Sequence, residues 1–251
     1  MMTFEEKIKT FEKYLKEAKN VVFFGGAGVS VPSGIPDFRS ATGIYHRKTG
    51  THFSAERIVS NSFFYSYPDL FDEFYYKNMV YVDAKPNSCH LKLAELEKRG
   101  KLKAVVTQNI DGLHQLAGSK NVFELHGTIH RSHCIKCHSL HNLEETLKEP
   151  KGKCKKCGAH LKPDVVLFEE PLDNATIIGA INALSHADTL IVGGTSLVVQ
   201  PAASFIYHFK GKRLIVVNKT PIDSLLFHTK ETLIFVDDIE RFFKALNLDD
   251  I

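Results

Sequence analysis

The sequence lacks any apolar run near the roughly 20 residues that a membrane-spanning helix needs. Its longest, such as Val21–Phe24 and Leu214–Val217, are only a handful of residues. It is also poor in cysteine, with five in 251 residues. A chain of this length buries about 70% of its unfolded surface, so it needs no disulfide framework. Neither sign of charge dominates: 32 basic against 29 acidic residues leave +3, spread along the chain except for one denser stretch from Lys148 to Lys156. That balance argues against a protein devoted to nucleic acid. There is no internal repeat and no low-complexity linker. The opening residues Met1-Met2-Thr3-Phe4-Glu5-Glu6 place acids where a signal peptide has a basic region and an apolar core. A soluble, cytoplasmic globular protein is the expectation.

Four of the five cysteines form C-x2-C-x16-C-x2-C: Cys134, Cys137, Cys154 and Cys157. In a reducing compartment this spacing points to metal. Four thiolates complete a tetrahedral shell around Zn²⁺ and leave no position for water or substrate, so one structural zinc per chain is expected. His130, His133, His138 and His141 lie close by as competing ligands, but the thiolates already fill the shell. Cys89 stands alone and reads as a small buried hydrophobe.

Phe4, Ile8, Phe11, Leu15 and Ala18 recur at helical spacing, which predicts an amphipathic helix over 3–19. Six short apolar runs follow: Val21–Phe24, Ala104–Thr107, Val122–Leu125, Leu190–Val192, Leu214–Val217 and Leu233–Val236. They do not alternate with polar residues, and helical patterns such as His90–Arg99 and Asn174–Ser185 separate them. Both features fit parallel strands covered on both faces, and hence a Rossmann-like, doubly wound α/β sheet. The aromatic-rich stretch 40–80 reads as a helical insertion and 128–162 as a zinc ribbon. Together they would form a small lobe beside a large lobe of 1–39, 81–127 and 163–251, all within one catalytic domain spanning 1–251.

Each apolar run ends in small or polar residues. These are Gly25-Gly26-Ala27-Gly28, Gln108-Asn109-Ile110-Asp111, His126-Gly127, Gly193-Gly194-Thr195-Ser196, Asn218-Lys219-Thr220 and Asp237-Asp238. In an open parallel sheet such ends line one edge, where ligands bind. Gly25–Gly28 suits a phosphate-cradling loop, although a plain tight turn would look the same. It departs from G-x-G-x-x-G because Val31 stands at the third glycine, and no ribose-binding acid follows about 20 residues on. A hydride-transfer dehydrogenase is therefore disfavoured. Phe38 and Arg39 offer an aromatic wall and a cation beside that loop, although singly each would pass as core and surface. A lone histidine is usually structural, but His126 sits at the ligand-facing end of a strand.

Several segments, taken in order, resemble the sirtuins, the NAD-dependent protein deacylases. They are Gly26-Ala27-Gly28-Val29-Ser30 through Ser33-Gly34-Ile35-Pro36-Asp37-Phe38-Arg39, Thr107–His114, Glu124-Leu125-His126-Gly127, the four cysteines, Lys162–Phe168, Gly194-Thr195-Ser196-Leu197 and Val217-Asn218. The resemblance covers roughly 20–240. It implies a cleft between the lobes that holds NAD and an acetyl-lysine of a protein substrate. By it, Ala27, Phe38, Arg39, Gln108, Ile110, Asp111, Thr195, Ser196 and Asn218 contact NAD, with Asn109 and Asp111 around the nicotinamide. Val31, Gly194 and Asp237 complete the expected contacts. His126 is the general base, and Val165, Val166 and Phe168 pair with the peptide as an added strand. The acetyl group passes to ADP-ribose, and nicotinamide is released as product and inhibitor. No membrane or specific nucleic acid is implied, and a monomer is expected. ADP-ribosyl transfer on the same fold is the alternative.

Two positions depart from the family pattern. Gly25 replaces a threonine, and Glu169 stands between Phe168 and Glu170 where the family often has glycine. Family members that remove acidic acyl groups resemble one another in a Tyr-x-x-Arg pair. Here the matching positions read Tyr75 and Asn78, so a preference for acetyl over succinyl is expected.

Overall fold

The computed structural model describes residues 2–47, 49–222 and 229–251. The strands are β1 (Val21–Gly25), β2 (Leu102–Thr107), β3 (Val122–Glu124), β4 (Gly127–Cys134), β5 (Leu140–Asn142), β6 (Leu161–Val165), β7 (Thr189–Gly193), β8 (Arg213–Asn218) and β9 (Glu231–Val236). The helices are α1 (Phe4–Glu17), α2 (Ala55–Ile58), α3 (Asn61–Ser66), α4 (Pro68–Asn78), α5 (Ser88–Lys98), α6 (Leu113–Leu116), α7 (Leu143–Leu147), α8 (Asn174–His186) and α9 (Ile239–Ala245).

All six expected strands join one sheet in the order β3-β2-β1-β7-β8-β9, and every pairing is parallel. The missing alternation has a simple cause. Val21 and Phe23 pack on one face with Ile8, Phe11, Leu93 and Phe242, while Val22 and Phe24 pack on the other with Ala180, Leu184 and Phe205. Both sides of the strand are therefore apolar. Helix α1 starts where Thr3 and Glu6 form a reciprocal capping box and buries Ile8, Phe11 and Leu15. The strand order runs outward from β1 to β3 on one side and from β7 to β9 on the other. The switch point therefore lies between the C-terminal ends of β1 and β7, where a crevice opens.

The remaining strands form an antiparallel sheet, β5-β4-β6. Ile129 of β4, Val165 of β6 and Leu167 pack into the aromatic cluster of Phe63, Phe64, Phe71, Phe74 and Tyr75 from α3 and α4. Strand β4 spans eight residues, Gly127-Thr128-Ile129-His130-Arg131-Ser132-His133-Cys134, although little in that polar run suggests a strand. No helix among the described residues is long and apolar enough to cross a membrane.

Candidate active site

At the switch point, β1 and β7 run side by side until Gly25 pairs with Gly193. The loops that follow lock together. Gly26 N–H donates to the Gly193 carbonyl (3.3 Å) and Gly28 N–H to the Gly194 carbonyl (2.8 Å). A Cβ on Gly28 would lie 2.8 Å from Gly194 Cα, and one on Gly194 would lie 2.4 Å from Val29 N. These glycines permit a backbone-to-backbone approach between two loops. This corrects the expectation that the N–H groups of Gly26 and Gly28 are left to cradle a phosphate. The loop still lines the crevice, with Ala27 between Gly26 and Gly28.

The crevice is a cavity of about 710 Å³, within the range of ligand sites. Ala27, Val31, Phe38, Arg39, Gln108, Asn109, Ile110, His126, Val165, Val166, Phe168, Gly194, Thr195, Ser196 and Asn218 all line it. Two expected contacts do not. Asp237 lies outside the lining and pairs with Arg241 of α9 (2.6 Å). Asp111 sits behind the wall, accepting from Ser30 Oγ (2.6 Å) and Leu113 N–H (2.9 Å). Ser30 was not anticipated. Its hydroxyl also accepts from Asn109 Nδ2 (3.0 Å), so one buried hydroxyl fixes both the amide at the cavity and the acid behind it. Burial pushes the Asp111 carboxyl up, and the Ser30 and Leu113 bonds oppose that.

The other polar groups are likewise held before any ligand arrives. Gln108 Nε2 donates to Thr195 Oγ1 (3.1 Å), and Asn218 Nδ2 donates to Thr220 O (2.9 Å). Arg39 makes no ion pair among the described residues; its guanidinium lies 5.8 Å from the Tyr45 ring. An uncompensated guanidinium, amides and hydroxyls around one cavity fit the pyrophosphate, ribose and amide groups of NAD.

His126 closes the other end. Its Nδ1 lies 3.0 Å from the Gln108 carbonyl, which can only accept, so Nδ1 carries the proton and Nε2 is the basic nitrogen. Burial holds its pKa below the ordinary histidine value; the Gln108 bond opposes this and the Arg39 charge adds to it. The ring is therefore neutral at pH 7.

Val59, Met79, Ile110, Val165 and Leu167 give part of the cavity an apolar wall. Tyr75 and Asn78 are not in it. Tyr75 is stacked on Phe71 in the aromatic core, while Asn78 accepts from Arg47 (3.3 Å) and donates to the Phe74 carbonyl (2.9 Å). Met79, one position past α4, lines it instead. Periodicity cannot place a residue beyond a helix end, so Met79 carried no signal.

The loop after β6 is already heavily bonded. Val166 N–H donates to the His126 carbonyl (2.9 Å), Phe168 N–H to Val59 O (3.0 Å), and Phe168 O accepts from Asn61 N–H (2.9 Å). Phe168 thus spends its main chain on a bridge to Ser60 and leaves its exposed ring beside the cavity. Below it, buried Lys162 donates to Val165 O (2.9 Å) and Glu170 Oε2 (3.1 Å).

At the far end of β4 the four cysteine sulfurs lie within 4.8 Å of one another. Cys134 and Cys157 are 3.4 Å apart, and Cys137 and Cys154 3.6 Å. Zn–S bonds of about 2.3 Å in a tetrahedron require about 3.8 Å, so the set fits one Zn²⁺. Lys136 N–H and Cys137 N–H point at Cys134 Sγ, and Lys156 N–H at Cys154 Sγ, each at 3.4 Å. These donors support thiolates. His141 stands outside the set, 3.4 Å from Cys154 Sγ.

The pattern of the Sir2 family matches residues 26–201. An NAD-dependent protein deacetylase of Clostridium perfringens is 54% identical over 240 residues, covering 94% of this chain and 97% of its own. One from Staphylococcus aureus is 43% identical over 241 residues, covering 95% and 97%. A solved Sir2 structure with a deacetylated peptide and 3′-O-acetyl-ADP-ribose superimposes with a TM-score of 0.83 at 36% identity, covering 95% and 96%.

Proposed function

The chain belongs to the Sir2 family, and from that premise we propose how its own residues carry out the NAD-dependent deacetylation of protein lysines. One observation carries the assignment: a buried, neutral histidine whose tautomer is set by the Gln108 carbonyl, at one end of a cavity whose other polar groups suit a dinucleotide. Bound NAD supplies a ribose carbon that accepts the acyl oxygen as nicotinamide departs.

Arg39 and the Ala27 turn face the phosphates. Gln108, Thr195, Ser196 and Asn218 hold the ribose groups, and Asn109, braced by Ser30, positions the amide. His126 Nε2 takes a proton from a ribose hydroxyl, and its Nδ1–H stays on Gln108 while the ring becomes charged. Raising a positive charge there is opposed by burial and by Arg39, so the proton is readily passed on. The apolar wall of Val59, Met79, Ile110 and Leu167 receives the acyl-lysine stem and excludes water. Val165 and Val166 meet the peptide main chain, and Phe168 meets it by its ring.

The proposed reaction draws on the residues of one cavity, and action as a monomer is part of the proposal. Four thiolates held for zinc support a reducing, cytoplasmic setting. Nicotinamide is the product and, by re-entering the cavity, an inhibitor. The test is to mix the protein with NAD and an acetyl-lysine peptide. Free nicotinamide and unmodified lysine are expected in equal amounts. Reduced cofactor, or ADP-ribosylated protein without deacetylation, would refute the reading.

A further inference from the structure

Glu169 has φ = +76°, in the left-handed region that side chains rarely enter. It follows Phe168 in the loop after β6, and its own carboxylate holds it there. One oxygen accepts from Ser62 N–H (2.8 Å), while the other accepts from Ser62 Oγ (2.9 Å) and lies 3.3 Å from Arg57. Ser62 is in the first turn of α3, so this carboxylate ties the loop to the helical insertion. Glu170, the next residue, reaches Asn61 Nδ2 (2.6 Å) from the other side.

From this geometry we propose that Glu169 is a positioning residue for the acyl-peptide substrate. It clamps the segment bearing Val166 and Phe168 against α3 and so presets the shape that the peptide meets. The proposal rests on the reading of that segment as peptide-facing. The backbone conformation is unfavourable on its own, and the Ser62 and Arg57 contacts offset it. Once they are removed, the loop relaxes away from φ > 0 and must be reordered each time a peptide binds. The NAD end of the cavity shares none of these contacts, so the effect is confined to one substrate.

The experiment measures KM for an acetyl-lysine peptide and for NAD separately, with thermal midpoints, in Glu169→Ala, Glu169→Gln and Glu169→Gly. Glu169→Ala loses the tether, while its methyl still makes the φ > 0 of the peptide-ready shape unfavourable; its peptide KM should rise by roughly five-fold or more. NAD KM, kcat at saturating peptide and the thermal midpoint should stay near wild type. Glu169→Gln keeps an acceptor for Ser62 N–H and should recover most of the loss. Glu169→Gly removes strain and tether together and should fall between. An unchanged peptide KM in Glu169→Ala would overturn the proposal. So would equal losses in Gln and Ala that grow with the positive charge of the peptide, because Glu169 would then select charge directly. A Val166→Asp control separates this from the functional reading. If it leaves peptide KM unchanged, the segment does not face the peptide at all.

Discussion

In β1, β7 and β8, nearly every residue is buried, and the apolar side chains of each strand serve two faces at once. In the three-stranded sheet, β4 alternates buried and exposed residues irregularly, and its surroundings are polar. Arg131 and His133 both reach Asp164, Lys153 reaches Asp69 (3.0 Å), and His160 reaches Asp72 (3.0 Å). The large sheet is held by area removed from water on both faces, whereas the small one buries residues such as Ile129 and Val165 against the aromatic cluster and adds a zinc site and a few polar ties. The cavity lies where the two meet. In the proposed reaction the large sheet supplies the NAD wall, and the smaller module supplies the acyl and peptide wall.

Zinc removal is the most drastic way to break the comparison. Structural zinc contributes on the order of 10 kcal/mol to small modules. Chelation, or Cys154→Ser, should unfold the ribbon and abolish deacetylation, while the six-stranded sheet keeps most of its circular dichroism. An intact ribbon by proton NMR after zinc loss would show that the ties alone suffice.

At the seam, the apolar wall should discriminate between acyl groups. A succinyl carboxylate would be buried against Val59, Met79 and Ile110 without a cation. A factor on the order of 10² or more in kcat/KM is expected in favour of acetyl on matched peptides. Equal use of succinyl-lysine would mean that this wall does not receive the acyl group.

Acid should strike the sheet side first. His90 and His114 are buried with ring centroids 4.7 Å apart, and both ring nitrogens of His114 lack partners among the described residues. Burial lowers His90 to about 4 and His114 well below the ordinary value. A histidine kept neutral in the fold costs nothing above pH 6.5, where the unfolded form is neutral too. Below that the unfolded chain binds protons that the fold refuses, so stability falls by about 2 kcal/mol at pH 5 for His90, with His114 acting in the same direction. Urea midpoints at pH 8, 6.5 and 5 should fall only over the last interval, and His90→Gln should shrink that fall. A midpoint independent of pH would contradict the burial argument.

One glycine from each region gives the smallest contrast. Gly28→Ala sets a methyl 2.8 Å from Gly194 Cα and should cost about 3 kcal/mol, because the obstacle is backbone. Gly158→Ala in the zinc ribbon meets nothing within 4 Å and should cost about 1 kcal/mol, from φ = +73° alone. Thermal melts of the two variants test whether close approach or backbone freedom is the reason for each glycine.

The same contrast explains what was legible in the sequence. A doubly covered strand shows as an unbroken apolar run, so all six sheet strands and the polar residues at their ends could be read. Four thiolates at ribbon spacing could be read for the same kind of reason, since the metal imposes the spacing. Strand β4 could not, because its order comes from pairing with β6 rather than from its own pattern. Ser30 was missed because its two partners, Asn109 and Asp111, are about 80 residues away and meet it only in the fold. Asp237 looked like another polar strand end, but the start of α9 draws it to Arg241. Met79 and the Glu169 contact to Ser62 likewise exist only after α3 and α4 dock.

The central claim is that His126, neutral and oriented by Gln108, is the base. The most direct measurement is His126→Ala assayed for lysine release from an acetyl-peptide, with NAD affinity and the thermal midpoint measured alongside. Removing a positioned base should cost about 10² to 10⁴-fold in kcat while NAD binding and stability change little. For the unsubstituted protein, the rate should fall with acid only below the ordinary histidine pKa, as Nε2 becomes protonated. Near-wild-type deacetylation in His126→Ala would contradict the account.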